Sequence, residues 1–156
     1  MISFLFAAIL HECGHLFALF IIFPGKRRPR LRLSPLGAVL STVRFPSYGS
    51  AIACYLAGPA VNLLTAAVSA GDLREASLSL AVFNLLPVDG LDGGNALREL
   101  LCFLWNDSAA DIVLRVAGIL CFCLFFLSAL CLLLAGSVNL MPLCLSLWML
   151  CRLLTA

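Results

Sequence analysis

Long apolar runs separated by short polar breaks dominate the pattern along the chain. A helix needs about 20 residues to cross the roughly 30 Å hydrocarbon core of a bilayer, and these runs are about that long. We count five such runs, which cover approximately residues 2–23, 50–70, 77–104, 112–135 and 138–154. The pattern therefore predicts an all-α polytopic membrane protein with about five transmembrane helices.

The third apolar run, residues 77–104, contains helix-breaking residues in its middle. These are Pro87, Gly90, Gly93 and Gly94. Broken backbone at membrane depth is tolerated only where protein buries it or where it lines a cavity. The interruption is therefore expected to mark a functional site.

A different kind of segment, residues 24–48, follows the first apolar run. It begins with the basic string KRRPRLR and continues with alternating residues, among them Val39, Ser41, Val43 and Phe45. Alternation with a period of two predicts a short strand or hairpin over approximately Leu36–Phe45. We expect this segment to lie outside the membrane.

The distribution of basic residues predicts the orientation. If the basic loop is cytoplasmic, nine of the ten Lys and Arg residues fall on or near the cytoplasmic side, and only Arg74 lies outside. Under the positive-inside rule, this asymmetry predicts an outside N-terminus and a cytoplasmic C-terminus. The alternative role for the cluster is binding of anionic lipid or of a partner.

Composition narrows the function classes. The chain of 156 residues is 63% hydrophobic and 12% charged, against about 25% charged in an ordinary soluble domain. These values exclude a cytosolic enzyme, a disordered tail and a secreted disulfide scaffold. A net charge of +2 is too small for a phosphate-binding face, so no nucleic-acid partner is expected. The eight cysteines form no CxxC pair, and we interpret them as reduced, apolar packing residues rather than disulfides or metal ligands.

The chain has only two histidines, His11 and His15, and they form the string HECGH. This is the HExxH zinc pattern: a spacing of four puts both imidazoles on one helical face, within reach of one tetrahedral ion. Glu12 is then placed to deprotonate water rather than to bind the metal. The alternative is that the histidines make interhelical hydrogen bonds and that the glutamate relays protons. Three titratable groups in one apolar helix are energetically costly, and a bound metal explains all three. We therefore favour a zinc site.

Catalytic zinc normally takes three protein ligands, so a third ligand must come from elsewhere. The histidines lie about 15 Å from the cytoplasmic end of their span, at 1.5 Å per helical residue. The string NLLPVDGLDGG, residues 84–94, places Asp89 and Asp92 at a similar depth. On depth alone, either aspartate qualifies.

Three ordered motifs carry a family resemblance over roughly residues 4–104. HECGH, AGPAVN (residues 57–62) and NLLPVDGLDGG together resemble the site-2 protease family of intramembrane zinc metalloproteases. Within the family, the motifs resemble those of the sporulation branch, which processes a membrane-tethered sigma-factor precursor. The resemblance implies that Asp92 is the third zinc ligand beside His11 and His15. It also implies a proton-accepting role for Glu12.

The same resemblance implies that Asn84 helps to hold the substrate or the oxyanion. One departure is Gly90, where family members usually have proline. For AGPAVN we favour a scaffold role, in which Gly58 and Pro59 permit close packing and Asn62 makes an interhelical hydrogen bond.

The function expected from these observations is hydrolysis of a peptide bond in or near a transmembrane segment of a single-span or membrane-tethered protein. One Zn²⁺ is the implied cofactor, and a regulatory membrane protein is a further expected partner. Residues 1–104 would form the three-helix protease core, and residues 105–156 two additional spans. The cell membrane is the expected location, with the active site near the cytoplasmic side. The competing function is a non-proteolytic membrane protein, either a metal transporter or an inactive relative that binds helices.

Overall fold

A computed structural model describes residues 2–24, 31–34, 37–40, 45–136 and 141–155. These residues form six helices and one two-stranded hairpin. The chain divides into two compact units, residues 1–85 and 86–156.

The first unit contains three helices and the hairpin. They are α1 (Ile2–Ile22), β1 (Leu31–Ser34), β2 (Gly37–Leu40), α2 (Tyr48–Val68) and α3 (Asp72–Asn84). Helix α2 begins with a capping box in which Ser47 and Ser50 satisfy each other's backbone N–H groups. Helix α1 packs closely on α2 at Gly14. A Cβ atom added at this position would lie only 2.7 Å from the carbonyl oxygen of Ala57. The two backbones therefore come almost into contact.

The hairpin is antiparallel, with Leu31 opposite Leu40 and Ser34 opposite Gly37. Strand β2 lies within the predicted strand-like stretch, residues 36–45. Residues 35–36 and 41–44 of that region lie outside the described part of the chain. Strand β1 was not predicted, because its sequence overlaps the basic string.

The second unit begins with a turn, residues 86–91. Three helices follow it: α4 (Asp92–Leu104), α5 (Asp107–Leu134) and α6 (Met141–Thr155). In the turn, the N–H of Leu91 donates to the carbonyl of Val88 at 3.1 Å, and both side chains are buried. The Asn106 side chain caps α5 by accepting from the N–H of Ala109 at 2.8 Å.

Three helices, α1, α2 and α5, are long and apolar enough to cross a membrane. The predicted third span is two helices of 13 residues each, because the turn interrupts it, and neither helix alone spans a bilayer. The apolar part of α6, Met141–Arg152, is also shorter than a full span. Large apolar side chains face outward along α1 and α5, as expected for lipid-facing helices. The chain is therefore a helical membrane protein.

Candidate metal centre

The two histidines of HECGH lie side by side on α1. Their Nε2 atoms are 3.1 Å apart, and the rings meet edge to face with centroids separated by 4.8 Å. His11 is buried, with 6% of its surface exposed, and His15 is half-buried. The predicted sharing of one helical face is therefore present, and the two Nε2 atoms converge.

A backbone carbonyl of α2 determines the tautomer of His15. Its Nδ1 lies 2.8 Å from the carbonyl oxygen of Cys54. Because a carbonyl only accepts, Nδ1 must carry the proton and donate. In the neutral ring, Nε2 is then the unprotonated nitrogen, which is the form that binds a metal.

A side chain of α2 contacts His11. Its Nδ1 atom lies 3.1 Å from Nδ2 of Asn62, whose side chain is fully buried. Oδ1 of Asn62 has no hydrogen-bond partner among the described residues. Helix α2 thus contacts the outer nitrogen of both imidazoles.

Gly58 provides the space that the two rings occupy. A Cβ atom built at this position would lie 2.8 Å from Nε2 of His11 and closer still to Nε2 of His15. Any side chain here would enter the point at which the two nitrogens converge. The absence of a Cβ atom therefore leaves a cradle in which the two nitrogens lie against the backbone of α2.

This arrangement fits a zinc ion. Tetrahedral coordination with Zn–N bonds of 2.0–2.1 Å separates two ligand nitrogens by about 3.3 Å. The observed separation is 3.1 Å. The Nδ1 atom of each imidazole contacts α2, and the two Nε2 atoms converge. Imidazole nitrogens supported in this way are ligands that zinc prefers.

Two further predicted site residues belong to the first unit. Glu12 is half-buried on α1, between the histidines in sequence. Asn84 is the last residue of α3, and its Nδ2 donates to the carbonyl oxygen of Leu80 at 3.1 Å. One donor of the Asn84 amide is therefore used by its own helix.

The two candidate aspartates lie in the second unit, in different surroundings. Asp92 is the first residue of α4, where the positive end of the helix dipole stabilises a carboxylate. Asp89 lines a cavity of about 300 Å³, whose wall includes Arg98, Arg115, Arg152 and Asp111. Asp89 therefore belongs to a cluster of charged side chains.

The turn before Asp92 is tightly packed within the second unit. Gly90 has a positive φ of 86°, and the guanidinium of Arg152 occupies the space that a Cβ atom would need. Gly94 packs against the carbonyl of Val88, which likewise occupies the space that a Cβ atom would need. Two glycines and one arginine therefore determine the shape of this turn.

The structure adds residues that the motifs alone did not assign to the site. The carbonyl of Cys54, the missing Cβ of Gly58 and the amide of Asn62 all contact or accommodate the histidines. The three residues follow one another at intervals of four residues, so they lie along one stripe of α2. That spacing is visible in the sequence CYLAGPAVN, but only packing reveals that the stripe faces α1.

Comparison with solved structures relates this fold to that of a protease. The chain is similar to the site-2 protease from Methanocaldococcus jannaschii, with a TM-score of 0.66 and 22% sequence identity. The match covers 99% of this chain and 75% of the other. No protein-family model matches the chain, and a search of curated proteins found no match. The fold is therefore shared with a site-2 protease.

Proposed function

We propose that the protein is an intramembrane zinc metalloprotease. It would hydrolyse a peptide bond in or near a transmembrane segment of a membrane-tethered substrate. The observation that carries the proposal is the pair of Nε2 atoms 3.1 Å apart in a chain with the fold of a site-2 protease. Both imidazoles make their interhelical contacts with α2 through Nδ1, so the two Nε2 atoms that converge are the nitrogens left to bind a metal.

His11, His15 and Asp92 would hold the metal. Zinc, when bound, supplies a Lewis acid that polarises the scissile carbonyl and lowers the pKa of water toward neutrality. Asp92 is assigned as the third ligand because its LDG motif resembles that of the family. Its different environment from Asp89, which lies among arginines, supports the choice.

Glu12 would move the proton. It follows His11 directly in the motif, where a carboxylate can accept a proton from the attacking water and deliver it to the leaving amine. The Asn84 amide would hold the substrate or the oxyanion, as the resemblance implies. Because one of its N–H groups donates to Leu80, only the other N–H is available for this role.

The substrate would have to unwind before cleavage, because a helix shields its own carbonyls. The hairpin offers an edge at which an unwound peptide can pair as an added strand. A sigma-factor precursor is the substrate class suggested by the motif resemblance. We place the protein in the cell membrane as a multi-pass protein of about five spans, with the orientation predicted from its basic residues. A regulatory membrane protein would control access.

Co-expression with a panel of single-span substrates tests the proposal. Wild type is compared with Glu12→Gln, which should lose cleavage while it keeps zinc. Glu75→Gln is a matched control, because Glu75 is an exposed carboxylate on α3. Equal cleavage by wild type and Glu12→Gln would refute the proton-transfer role.

The third ligand is tested by its own pair of variants. Asp92→Asn should lose zinc, and Asp89→Asn should largely keep it, as measured by metal content after purification. The reverse result would show that the ligand is Asp89. A wild type that retains no zinc and cleaves nothing would favour a non-proteolytic membrane protein.

A further inference from the structure

Asn62 is the most deeply buried polar side chain beside the histidine pair. It is 0% exposed, its Nδ2 lies 3.1 Å from Nδ1 of His11, and its Oδ1 has no hydrogen-bond partner within the described ranges. A buried carboxamide in an apolar helix is costly unless it serves a specific partner. Here the partner is a proposed zinc ligand.

Zinc binding determines which atom Asn62 must present. If Nε2 of His11 holds the metal, its proton must lie on Nδ1, which is then a donor. Nδ2 of Asn62 is also a donor, and two donors 3.1 Å apart repel each other. A half-turn of the carboxamide exchanges its oxygen and nitrogen positions, which are assigned only from hydrogen bonding.

We infer that Asn62 is a positioning residue for His11, and that its Oδ1 accepts the Nδ1–H of that ring when the metal is bound. The carboxamide then fixes both the orientation and the tautomer of the ligand. This role matches that of the Cys54 carbonyl, which accepts from His15 at 2.8 Å. The inference rests on the proposed zinc site and adds a residue outside the metal's direct ligands.

The spacing along α2 supports this assignment. Cys54, Gly58 and Asn62 follow one another at intervals of four, so they form one stripe on the helix. The histidines have the same spacing on α1. The stripe therefore meets the pair with the Cys54 carbonyl at one end, the Asn62 carboxamide at the other and Gly58 at its centre.

Zinc affinity of substituted proteins tests the inference. Asn62→Leu keeps the approximate size but removes the acceptor, so zinc affinity should fall by about 10–100-fold. Asn62→Asp keeps an acceptor oxygen, of the kind that commonly accepts from a metal-bound histidine, and should escape most of this loss. Thr65→Val is the control on the same helix, because the Thr65 hydroxyl donates to the carbonyl of Val61 within α2. Affinity is measured by chelator competition with Zn²⁺ on the full chain in detergent.

Nitrogen NMR on the wild type gives a readout that does not depend on a variant's folding. With only two histidines in the chain, ¹⁵N-histidine labelling gives two imidazoles. In the zinc-loaded protein, both should carry the proton on Nδ1 and bind the metal through Nε2. In Asn62→Leu, the Nδ1–H signal of His11 alone should shift.

The outcomes separate the inference from the proposed function. Wild-type zinc affinity in Asn62→Leu, or a His11 ring bound through Nδ1, overturns the inference and leaves the protease proposal standing. Loss of zinc from Asn62→Asp equal to that from Asn62→Leu also overturns it. A wild type that binds no zinc overturns the proposed function itself.

Discussion

The sharpest prediction concerns Gly58→Ala, which adds a single carbon atom at the point where the histidines converge. The new Cβ atom would lie 2.8 Å from Nε2 of His11 and closer still to Nε2 of His15. Ordinary van der Waals contacts of Cβ atoms begin at 3.4 Å. The His11 ring must therefore retreat by about 0.6 Å, and the His15 ring by more.

The surrounding structure resists this movement. The outer nitrogens of the two rings contact the Cys54 carbonyl and the Asn62 side chain of α2, and a retreat from Gly58 disturbs both contacts. Metal sites tolerate displacements of about 0.5 Å before their geometry degrades. We expect zinc affinity to fall at least tenfold, and cleavage to fall about 100-fold, as for a misplacement approaching 1 Å. Overpacking should also lower the free energy of unfolding by about 1–3 kcal/mol.

Chelator competition, thermal unfolding in detergent and substrate cleavage measure the three effects. Gly49→Ala is the matched control on the same helix, because a Cβ atom there meets only Ser47 Oγ, at 4.0 Å. It should leave zinc affinity and cleavage unchanged, and it should not lower the free energy of unfolding. A Gly58→Ala protein with wild-type zinc affinity would refute the proposal that the missing Cβ atom of Gly58 makes room for two metal-binding nitrogens.

The remaining predictions concern the second unit and the metal. Gly90→Ala should lower the unfolding temperature more than Gly71→Ala, because both glycines have positive φ but only Gly90 also contacts Arg152; equal losses would show that backbone strain alone matters. Asp111→Asn should cost at most about 1 kcal/mol in denaturant unfolding, because its 2.6 Å ion pair with Arg98 is solvent-exposed; a much larger loss would contradict that assignment. Removal of zinc by a strong chelator should abolish cleavage, and added Zn²⁺ should restore it; cleavage that survives metal removal would exclude a metalloprotease.

The parts of the site that depend on neighbouring residues were predictable from the sequence. His11 and His15 share a face because a helix repeats every 3.6 residues. The break in the third apolar run was likewise visible, because proline and glycine disrupt helices wherever they occur. Local spacing is sufficient for both predictions.

The contributions of α2 were not predictable in the same way. The amide of Asn62 and the carbonyl of Cys54 serve the histidines only because one face of α2 packs on α1, across about 40 to 50 residues of sequence. An apolar pattern on all sides of a helix does not reveal which stripe meets which neighbour. The motif AGPAVN indicated packing, and the structure shows what the packing holds.

The contacts that hold the two histidines differ in how well they would survive mutation of α2. His15 is held by a main-chain carbonyl, which every amino acid at position 54 would supply. Selection there acts only on the size and polarity of a side chain that is 1% exposed. His11 depends on a carboxamide that only a few residue types can replace. In a saturation scan of α2, small apolar residues should survive at position 54, whereas position 62 should tolerate little beyond asparagine and aspartate. Mutational sensitivity would therefore differ between the two proposed ligands of one metal.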